Sequence, residues 1–202
     1  MKLLAKHSDT FDPARPWLTV GIEEEHRTKL FTLRHARCRS PHTGRESVFT
    51  RLLCPEWVNV IAVTRDGELL AVEQFRHGHQ EPSLEIVGGV CDPGEEPLES
   101  ARRELLEETG HLADEIVSLG FSHPNPAIQD NRCHFFLALG CHPVAELDLD
   151  PSEELRVWSL NWDEMEGRLR SGEISHALVL NAFYRLTLWE GWEELRGKLK
   201  RG

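Results

Sequence analysis

Short runs rich in apolar and β-branched residues, separated by polar turn-forming residues, recur along the chain, and three longer segments repeat their apolar residues every three to four positions. The first pattern is typical of strands and the second of amphipathic helices. The short runs predict strands at residues 18–20, 29–34, 47–50, 57–64, 69–75, 83–87, 116–121, 132–139 and 155–160. The longer period predicts helices at residues 97–108, 162–170 and 175–189. Strands interleaved with three helices indicate an α/β or α+β sandwich.

Turn-forming residues mark the ends of the central elements. Asp66-Gly67 supplies the positive φ that a tight hairpin between two strands needs. Pro97 suits the first turn of a helix, and Gly110 suits a left-handed exit from it. Gly88-Gly89 is expected to end a strand and let a carbonyl turn outward, and Gly94 is expected to permit a sharp loop.

Composition narrows the class of protein. The 202 residues are 40% hydrophobic and 28% charged, without an apolar run of the roughly 20 residues that span a bilayer, which indicates a globular chain and no membrane partner. The net charge of -11 argues against nucleic acid as a partner, because nucleic acid binds mainly through cationic side chains. A polyanionic substrate would therefore need a cation at its site.

The cysteines and the first residues of the chain indicate the cellular compartment in which the protein is expected. Five cysteines at irregular spacing argue against a disulfide framework and against a zinc ribbon. The first seven residues lack the apolar core and cleavage site of a secretory signal. A cytoplasmic protein is expected. We also expect a small β-subdomain at residues 1–54, followed by the main domain at residues 55–202.

Three carboxylates share one face of the first predicted helix. Glu104 and Glu108 are four residues apart, and Glu107 lies three residues after Glu104. Their repulsion is relieved if a hard divalent cation lies between them, and Mg²⁺ prefers oxygen ligands of this kind, with Mn²⁺ as a substitute. Arg103 can pair with Glu99 or Glu107 and so hold a carboxylate in position. For Glu99 itself, an ordinary solvated helix face is the preferred interpretation.

The segment around this helix resembles the Nudix box. Gly89 is followed after five residues by Glu95 and after seven more by Arg-Glu-Leu-Leu-Glu-Glu-Thr-Gly, and only His111 departs from the apolar final position. The resemblance implies the Nudix fold, a mixed β-sheet sandwiched between helices. It also implies hydrolysis of a nucleoside diphosphate linked to another group.

Family roles carry over to matching positions. The resemblance implies that Glu104 and Glu108 are metal ligands, that Glu107 is a further ligand or orients water, and that the Gly88 carbonyl faces the metal. The catalytic set is expected to include Glu107, Glu153 and, as a positioning side chain, Arg103.

Outside the box, the chain resembles the ADP-ribose pyrophosphatase branch. Residues 73–78 are similar to its Glu-Gln-Tyr-Arg strand, residues 85–89 stand where it has Glu-Leu-Pro-Ala-Gly, and Pro126 lies sixteen residues after Gly110. This implies Mg²⁺-dependent conversion of ADP-ribose to AMP and ribose 5-phosphate, and a homodimer that involves the N-terminal subdomain.

The branch also suggests substrate and metal contacts elsewhere. Arg76 is expected to contact a phosphate, with a surface arginine at the end of a strand as the alternative, and Glu85 is expected to belong to the substrate-binding set. Phe31 and Trp57 are candidates to stack on adenine, although core packing is the preferred interpretation of both. In the late acidic loop, Glu153 matches the ligand position, and Glu107, Glu153 and Glu154 are candidates for the general base.

One departure keeps other substrates open. The branch has Ser-Pro-Gly and a glutamate where this chain has Asn125-Pro126-Ala127-Ile128-Gln129-Asp130-Asn131. Another nucleotide sugar or a dinucleotide, such as ADP-glucose, GDP-mannose or NADH, is therefore an alternative substrate. A non-catalytic nucleotide sensor is the alternative from another class.

Overall fold

The structure is a computed structural model that describes residues 12, 14–149 and 154–200. The chain divides into two compact units. The first consists of Met1–Cys54 together with Asn125–Asp130, and the second of Pro55–Pro124 together with Asn131–Gly202. The short segment Asn125–Asp130, which the sequence analysis places in the main domain, thus belongs to the first unit.

The first unit contains an antiparallel sheet of three strands, β1 (Leu18–Arg27), β2 (Thr32–Arg39) and β3 (Glu46–Leu53). Residues 125–130 join it through the amide of Leu52, which donates to the carbonyl of Ile128 at 2.7 Å. The predicted strand at residues 29–34 is displaced, because the Thr28 hydroxyl accepts from the amides of Leu30 and Phe31 and so forms a turn there.

The second unit contains the remaining strands and all the described helices. The strands are β4 (Trp57–Thr64), β5 (Leu69–Arg76), β6 (Glu81–Glu85), β7 (Val87–Val90), β8 (His111–Leu112), β9 (Glu115–Ser122), β10 (Cys133–Pro143) and β11 (Leu155–Leu160). The helices are α1 (Pro97–Thr109), α2 (Trp162–Ser171), α3 (Ala177–Leu188) and α4 (Trp192–Leu199). None of the helices in the described part of the chain is long and apolar enough to cross a membrane.

The sheet of the second unit is mixed. Its main order is β11-β5-β4-β10-β8, with β6 beside β5, β7 beside β4 and β9 beside β10. The pair β4 and β10 is parallel, whereas the other pairs are antiparallel.

Alternate residues of the central strands enter two separate cores. On one face, Val58 and Val60 pack with Ala101 and Leu105 of α1. On the other face, Ile61 packs in a cluster with Met165 of α2, Val179 of α3 and Leu195 of α4. Helices therefore cover both faces of the sheet, and the predicted sandwich with a mixed sheet is confirmed.

Three expectations about elements were wrong. The single strand at residues 83–87 is two strands, β6 and β7, and Gly88-Gly89 lies inside β7 instead of ending it. The C-terminal region has a further short helix, α4, whose Trp192 is buried with its ring 5.0 Å from that of Trp162. A helix of eight residues was missed because its pairing with Trp162 is a tertiary contact.

The glycine pair is needed for close packing, not for an unusual backbone. In β7, Gly88 lies opposite Asn59 and Gly89 opposite Val58. A Cβ atom on Gly88 would lie 2.2 Å from Asn59 Nδ2, and one on Gly89 would lie 2.0 Å from Glu104 Oε1. Left-handed backbone occurs instead at the turns, with φ values of 84° at Gly67, 83° at Gly94 and 69° at Gly110, as expected.

Candidate active site

Helix α1 presents its carboxylates to β7 because its apolar side chains fix its rotation. Ala101 and Leu105 are 0% and 1% exposed in the core beneath the helix. Gly110 ends the helix in the left-handed conformation, with its amide donating to the carbonyl of Leu106 at 2.8 Å. Burial of its apolar face fixes the rotation of the helix, and Gly110 fixes its C-terminal end. Together they set the positions of Glu104 and Glu108.

Glu104 and Glu108 are buried carboxylates that meet the backbone of β7. Their residues are only 8% and 3% exposed. Glu108 Oε2 accepts a hydrogen bond from the amide of Gly88 at 3.1 Å. The carboxylate of Glu104 occupies the space that a side chain at Gly89 would fill. The structure therefore brings together three of the predicted ligand residues, Gly88, Glu104 and Glu108.

The outer edge of β7 faces these side chains. The Gly88 amide points to Glu108, and the Val90 carbonyl accepts from Arg103 Nη2 at 3.1 Å. In an extended strand, the N–H and C=O groups of one residue point to the same edge. The Gly88 carbonyl therefore points to the edge of β7 at which the α1 carboxylates lie.

Arg103 joins three carboxylates of the box. Its Nη1 donates to Glu104 Oε1 at 2.8 Å and to Glu107 Oε2 at 3.0 Å. Its Nε and Nη2 donate to the two oxygens of Glu95 at 3.1 and 3.0 Å. These hydrogen bonds, with that to Glu95 first, raise the pKa of Arg103 despite its partial burial. Of the two partners considered from the sequence, Arg103 bonds to Glu107, whereas Glu99 pairs with Arg102 at 3.7 Å.

Glu95 is a positioning residue to which the sequence analysis gave no role. Besides Arg103, it accepts hydrogen bonds from the hydroxyl of Ser100 and from the amide of Asp92 at 3.0 Å. Hydrogen bonds from Arg103, Ser100 and Asp92 lower the pKa of Glu95 from 4.5 to about 2. Its fixed place in the box motif was the available signal. Its function is to hold Arg103, and the loop before α1, in one arrangement.

Glu107 is more accessible than its neighbours. Its side chain is 37% exposed, and one oxygen is held by Arg103. Its backbone carbonyl accepts from the amide of Asp148 at 3.0 Å, so the late acidic loop starts beside the end of α1. Glu153, predicted as ligand and base, lies outside the described residues. Glu154 is exposed just before β11.

Arg76 and Glu85 form an ion pair with each other. Arg76 Nε and Nη2 donate to the two oxygens of Glu85, both at 2.8 Å. The predicted contacts of both residues with substrate stay predictions.

The two aromatic candidates lie in different units. Phe31 belongs to the first unit, in the turn between β1 and β2, where its carbonyl accepts from Thr28. Trp57 begins β4 and packs partly buried against the core on the α2 to α4 face. Trp57 therefore packs against the core, as the preferred of its two interpretations expected.

The donor atoms at the box suit a hard divalent cation. Two carboxylates and a backbone carbonyl offer oxygen alone, and Mg²⁺ is commonly held by one or two carboxylates together with substrate phosphates. Among the residues that the structure describes, no three His, Cys, Asp or Glu side chains are grouped so as to hold a metal by themselves. The described donors thus fit an open site that a substrate completes, not a closed structural site.

A separate cleft of about 520 Å³ opens at the turn between β4 and β5. Its lining includes Arg65, His111, Cys141 and His142 and none of the box carboxylates. Arg65 is engaged by Asp114 through two hydrogen bonds of 3.1 and 2.7 Å. The predicted site and this cleft are therefore different places in the second unit.

Comparison with known proteins identifies the fold and family. The NUDIX domain model matches residues 55–182. ADP-ribose pyrophosphatase of Bacillus subtilis (strain 168) is 33% identical over 137 residues, which are 67% of this chain and 74% of that protein. Methanol dehydrogenase activator of Bacillus methanolicus is 30% identical over 137 residues, with the same shares of 67% and 74%.

A solved structure agrees with these sequence matches. The crystal structure of an ADP compounds hydrolase aligns with a TM-score of 0.75 and 23% identity, covering 87% of this chain and 94% of that one. At this identity the likeness shows the fold. The box residues occupy β7, the loop after it and α1, and the resemblance to the ADP-ribose pyrophosphatase branch is confirmed by the Bacillus subtilis relative. The chain belongs to the Nudix family of pyrophosphohydrolases.

Proposed function

We propose that this protein hydrolyses the pyrophosphate bond of a nucleoside diphosphate sugar with Mg²⁺, and that its substrate is ADP-ribose, cleaved to AMP and ribose 5-phosphate. The observation that carries the proposal is that two buried carboxylates meet β7, Glu108 at the amide of Gly88 and Glu104 beside Gly89. The substrate class is supported by the 33% identity to an ADP-ribose pyrophosphatase.

The cation would be held by Glu104, Glu108 and the Gly88 carbonyl. When bound, Mg²⁺ polarises phosphoryl oxygens and lowers the pKa of water. Buried carboxylates suit this role because their positions are fixed before substrate arrives, so little ordering remains to be done on binding. Glu95 and Arg103 keep Glu104 and Glu107 in place through hydrogen bonds of 2.8 to 3.1 Å.

In the proposed reaction a water oxygen forms a bond to one phosphorus atom of the diphosphate. The bond between that phosphorus and the bridging oxygen breaks, so each product leaves with one phosphate. A carboxylate takes the proton of the attacking water, and we propose Glu153 for this role, with Glu107 and Glu154 as the alternatives. Arg76 is proposed to bind a phosphate through the planar guanidinium, whose geometry suits two oxygens at once. Phe31 is proposed to stack on the adenine.

One assay tests the function. ADP-ribose, ADP-glucose, GDP-mannose, NADH and coenzyme A are incubated with the protein and Mg²⁺, and the release of the nucleotide product of each is measured. We expect ADP-ribose to give the highest kcat/KM, and we expect chelation with EDTA to abolish turnover until Mg²⁺ is added back.

Two variants on the same helix separate the metal role from a change of charge. Glu108→Gln should lower kcat by at least about 100-fold, since charge stabilisation at a reacting phosphate contributes several kcal/mol. Glu99→Gln is the matched control, because Glu99 is exposed on the same helix and pairs with Arg102 at 3.7 Å; it should leave kcat unchanged. Full activity in Glu108→Gln would contradict the metal assignment. A wild-type protein that cleaves nothing on the panel would contradict the function.

The departure at residues 125–131 makes other substrates worth including. Preferential cleavage of ADP-glucose, GDP-mannose or NADH would replace ADP-ribose as the substrate and leave the reaction class intact. Any Mg²⁺-dependent turnover on the panel excludes the non-catalytic sensor.

The base assignment has its own test. Glu153→Gln should lower kcat by about 100-fold or more, because general base catalysis contributes on the order of 10² to 10⁴. The measurement is kcat for ADP-ribose across pH, compared with Glu154→Gln. Unchanged kinetics in Glu153→Gln would move the role to Glu107 or Glu154.

A further inference from the structure

The Arg76–Glu85 pair combines a fixed carboxylate with an accessible guanidinium. The side chain of Glu85 is 1% exposed, whereas that of Arg76 is 41% exposed. Two parallel hydrogen bonds of 2.8 Å join Nε and Nη2 of Arg76 to both oxygens of Glu85. A bidentate pair of this kind fixes the plane of the guanidinium as well as its distance.

The carboxylate of Glu85 stays ionised in this setting. Burial raises the pKa of Glu85, but the hydrogen bonds and charge of Arg76 lower it further, and the net direction is downward. A buried charge is costly unless it is paired and hydrogen-bonded. Glu85 is therefore ionised near neutral pH, and its charge is paired with the Arg76 guanidinium.

Strand register places the pair on the face of the sheet that α1 covers. Glu85 lies opposite Val72, and Arg76 opposite Glu81, in the antiparallel pair of β5 and β6. Residues two or four apart in a strand point to one face, so Arg76 shares the face of Val72, which packs in the α1 core. Glu85 is also only three residues before Gly88, about 10 Å along an extended chain. Strand register therefore puts the pair on the face of the sheet that bears Glu104 and Glu108, with Glu85 in the strand that leads into β7.

A direct contact of Glu85 with a diphosphate is unfavourable. Both of its oxygens are bonded to Arg76, the side chain is almost wholly buried, and its negative charge would repel a phosphate. The guanidinium of Arg76 has the opposite charge, and the Arg76 side chain is 41% exposed. Of the two residues expected to contact substrate, Arg76 is therefore suited to bind the diphosphate, whereas Glu85 is suited to hold Arg76.

We infer that Glu85 is a positioning residue: it holds the guanidinium of Arg76 in the plane in which that side chain binds the diphosphate of the substrate. The inference rests on the proposed function, since it takes the ligand of Arg76 to be the diphosphate. Glu85 acts through Arg76 and does not touch the substrate.

The test is a double-mutant cycle with Glu85→Gln and Arg76→Lys. Glu85→Gln removes the buried charge and leaves an arginine that water can solvate, and Arg76→Lys keeps the charge but cannot form the two-bond fork. KM and kcat are measured with ADP-ribose and Mg²⁺. The Kd of the α,β-methylene analogue of ADP-ribose is measured by calorimetry without metal. Asp114→Asn, in the exposed bidentate pair with Arg65, is the matched control.

We expect Glu85→Gln to raise both KM and Kd by about 10-fold, with kcat within about 2-fold of wild type, because a tenfold loss corresponds to about one charged hydrogen bond. In the Arg76→Lys background the same change should add less than about 2-fold, since residues that act through one contact are not additive. Asp114→Asn should match wild type. Glu85→Asp, which retains the carboxylate, should give an intermediate Kd, and thermal unfolding checks that each variant is folded.

Three results would overturn the inference: wild-type KM and Kd in Glu85→Gln, a fall in kcat with unchanged Kd, or an undiminished effect of Glu85→Gln in the Arg76→Lys protein. These outcomes differ from failure of the proposed function. If the wild-type protein cleaves nothing on the panel but binds the analogue, the proposed function is contradicted, and the Kd values of the double-mutant cycle still test the role of Glu85. If it neither cleaves the substrates nor binds the analogue, both proposals are contradicted.

Discussion

Arg103 and Glu95 show how single residues hold the reactive groups of the box. Arg103 donates hydrogen bonds to Glu95, Glu104 and Glu107. The carboxylates of Glu104 and Glu107, which would otherwise repel each other, therefore both pair with the guanidinium of Arg103. Glu95 fixes Arg103 from the far side with both of its oxygens. Charge-assisted hydrogen bonds of this type are stronger than neutral ones, and here they span a loop and a helix. Residues of the box therefore also hold in place a side chain that is proposed to bind the cation: Glu95 fixes Arg103, and Arg103 fixes Glu104.

The depressed pKa of Glu95 predicts a pH-dependent contribution to stability. A carboxylate with a pKa of about 2 in the folded protein stabilises it fully above its usual 4.5, and this contribution is lost as the pH falls from 4.5 toward 2. Glu95→Gln should lower the free energy of unfolding by about 2 kcal/mol at pH 7. The difference from wild type should shrink in urea unfolding experiments below pH 4.5.

The control for this experiment is Glu99→Gln, whose partner Arg102 is exposed. A surface pair contributes about 0 to 1 kcal/mol, so this variant should differ little from wild type at any pH. An equal loss for Glu95→Gln at pH 7 and near pH 2.5 would contradict the role of ionised Glu95.

At the scale of elements, the site depends on the contact between α1 and β7. The helix can lie this close because β7 has glycine at two successive positions, where any Cβ would meet Asn59 or Glu104. The helix is fixed in rotation by Ala101 and Leu105, which are buried beneath it. A change of one methyl group at this contact therefore affects the site more than a larger change on the outer face of the helix.

Gly89→Ala tests this contact. The added Cβ would lie 2.0 Å from Glu104 Oε1, so the carboxylate must move. We expect kcat to fall by at least about 10-fold and the free energy of unfolding to fall by about 1–3 kcal/mol, as in other overpacked sites. Activity is measured with the preferred substrate of the panel, and stability by urea unfolding.

Gly167→Ala in α2 is the matched control. Among the described residues, no atom beyond the adjacent residues and the helix's own backbone lies within 4 Å of the position of its Cβ, so the same substitution meets no obstacle. It should leave kcat unchanged and stabilise the protein by about 0.5–1 kcal/mol, because alanine favours a helix interior over glycine. Wild-type activity in Gly89→Ala would show that the Glu104 position tolerates displacement.

At the scale of the whole molecule, the two units differ in how they bury their residues. The second unit has a core on each face of its sheet. In the first unit, several large apolar side chains are 40% or more exposed: Trp17, Leu18, Ile22, Val48 and Phe49. Exposed apolar groups of this kind favour association with another surface. This agrees with the homodimer that the family resemblance implies, which stays a prediction.

Light scattering after size exclusion tests the dimer. We expect a mass twice the 23.1 kDa of one chain. Ile22→Asp together with Val48→Asp should shift the mass toward that of a monomer, because burying an unpaired charge in an interface is costly. Leu188→Asp, at an exposed position 66% accessible on α3, is the control and should leave the mass unchanged. A wild-type mass of 23.1 kDa at micromolar concentrations would contradict the dimer.

The elements that were predicted well are those whose signal is local. Strand β4 has the bounds expected from its run of apolar and β-branched residues. Helix α1 differs from expectation by one residue at its end, because Pro97 and Gly110 set its limits. Strands β6 and β7 were merged because the alternation of residues 83–87 does not show that the chain changes partner from β5 to β4. The join of residues 125–130 to the first unit depends on hydrogen bonds with Leu52, more than seventy positions away in sequence.

The amino-acid sequence alone determined the fold class, the family and the face of α1 that bears Glu104, Glu107 and Glu108. Helical spacing and turn residues act over a few positions, so they can be recognised without a partner. Only the tertiary structure decided that Glu85 pairs with Arg76, that Glu95 holds Arg103, and that Gly88-Gly89 admits the α1 carboxylates. These contacts depend on strand register and on the approach of a helix to a sheet, and both are set by packing between distant segments.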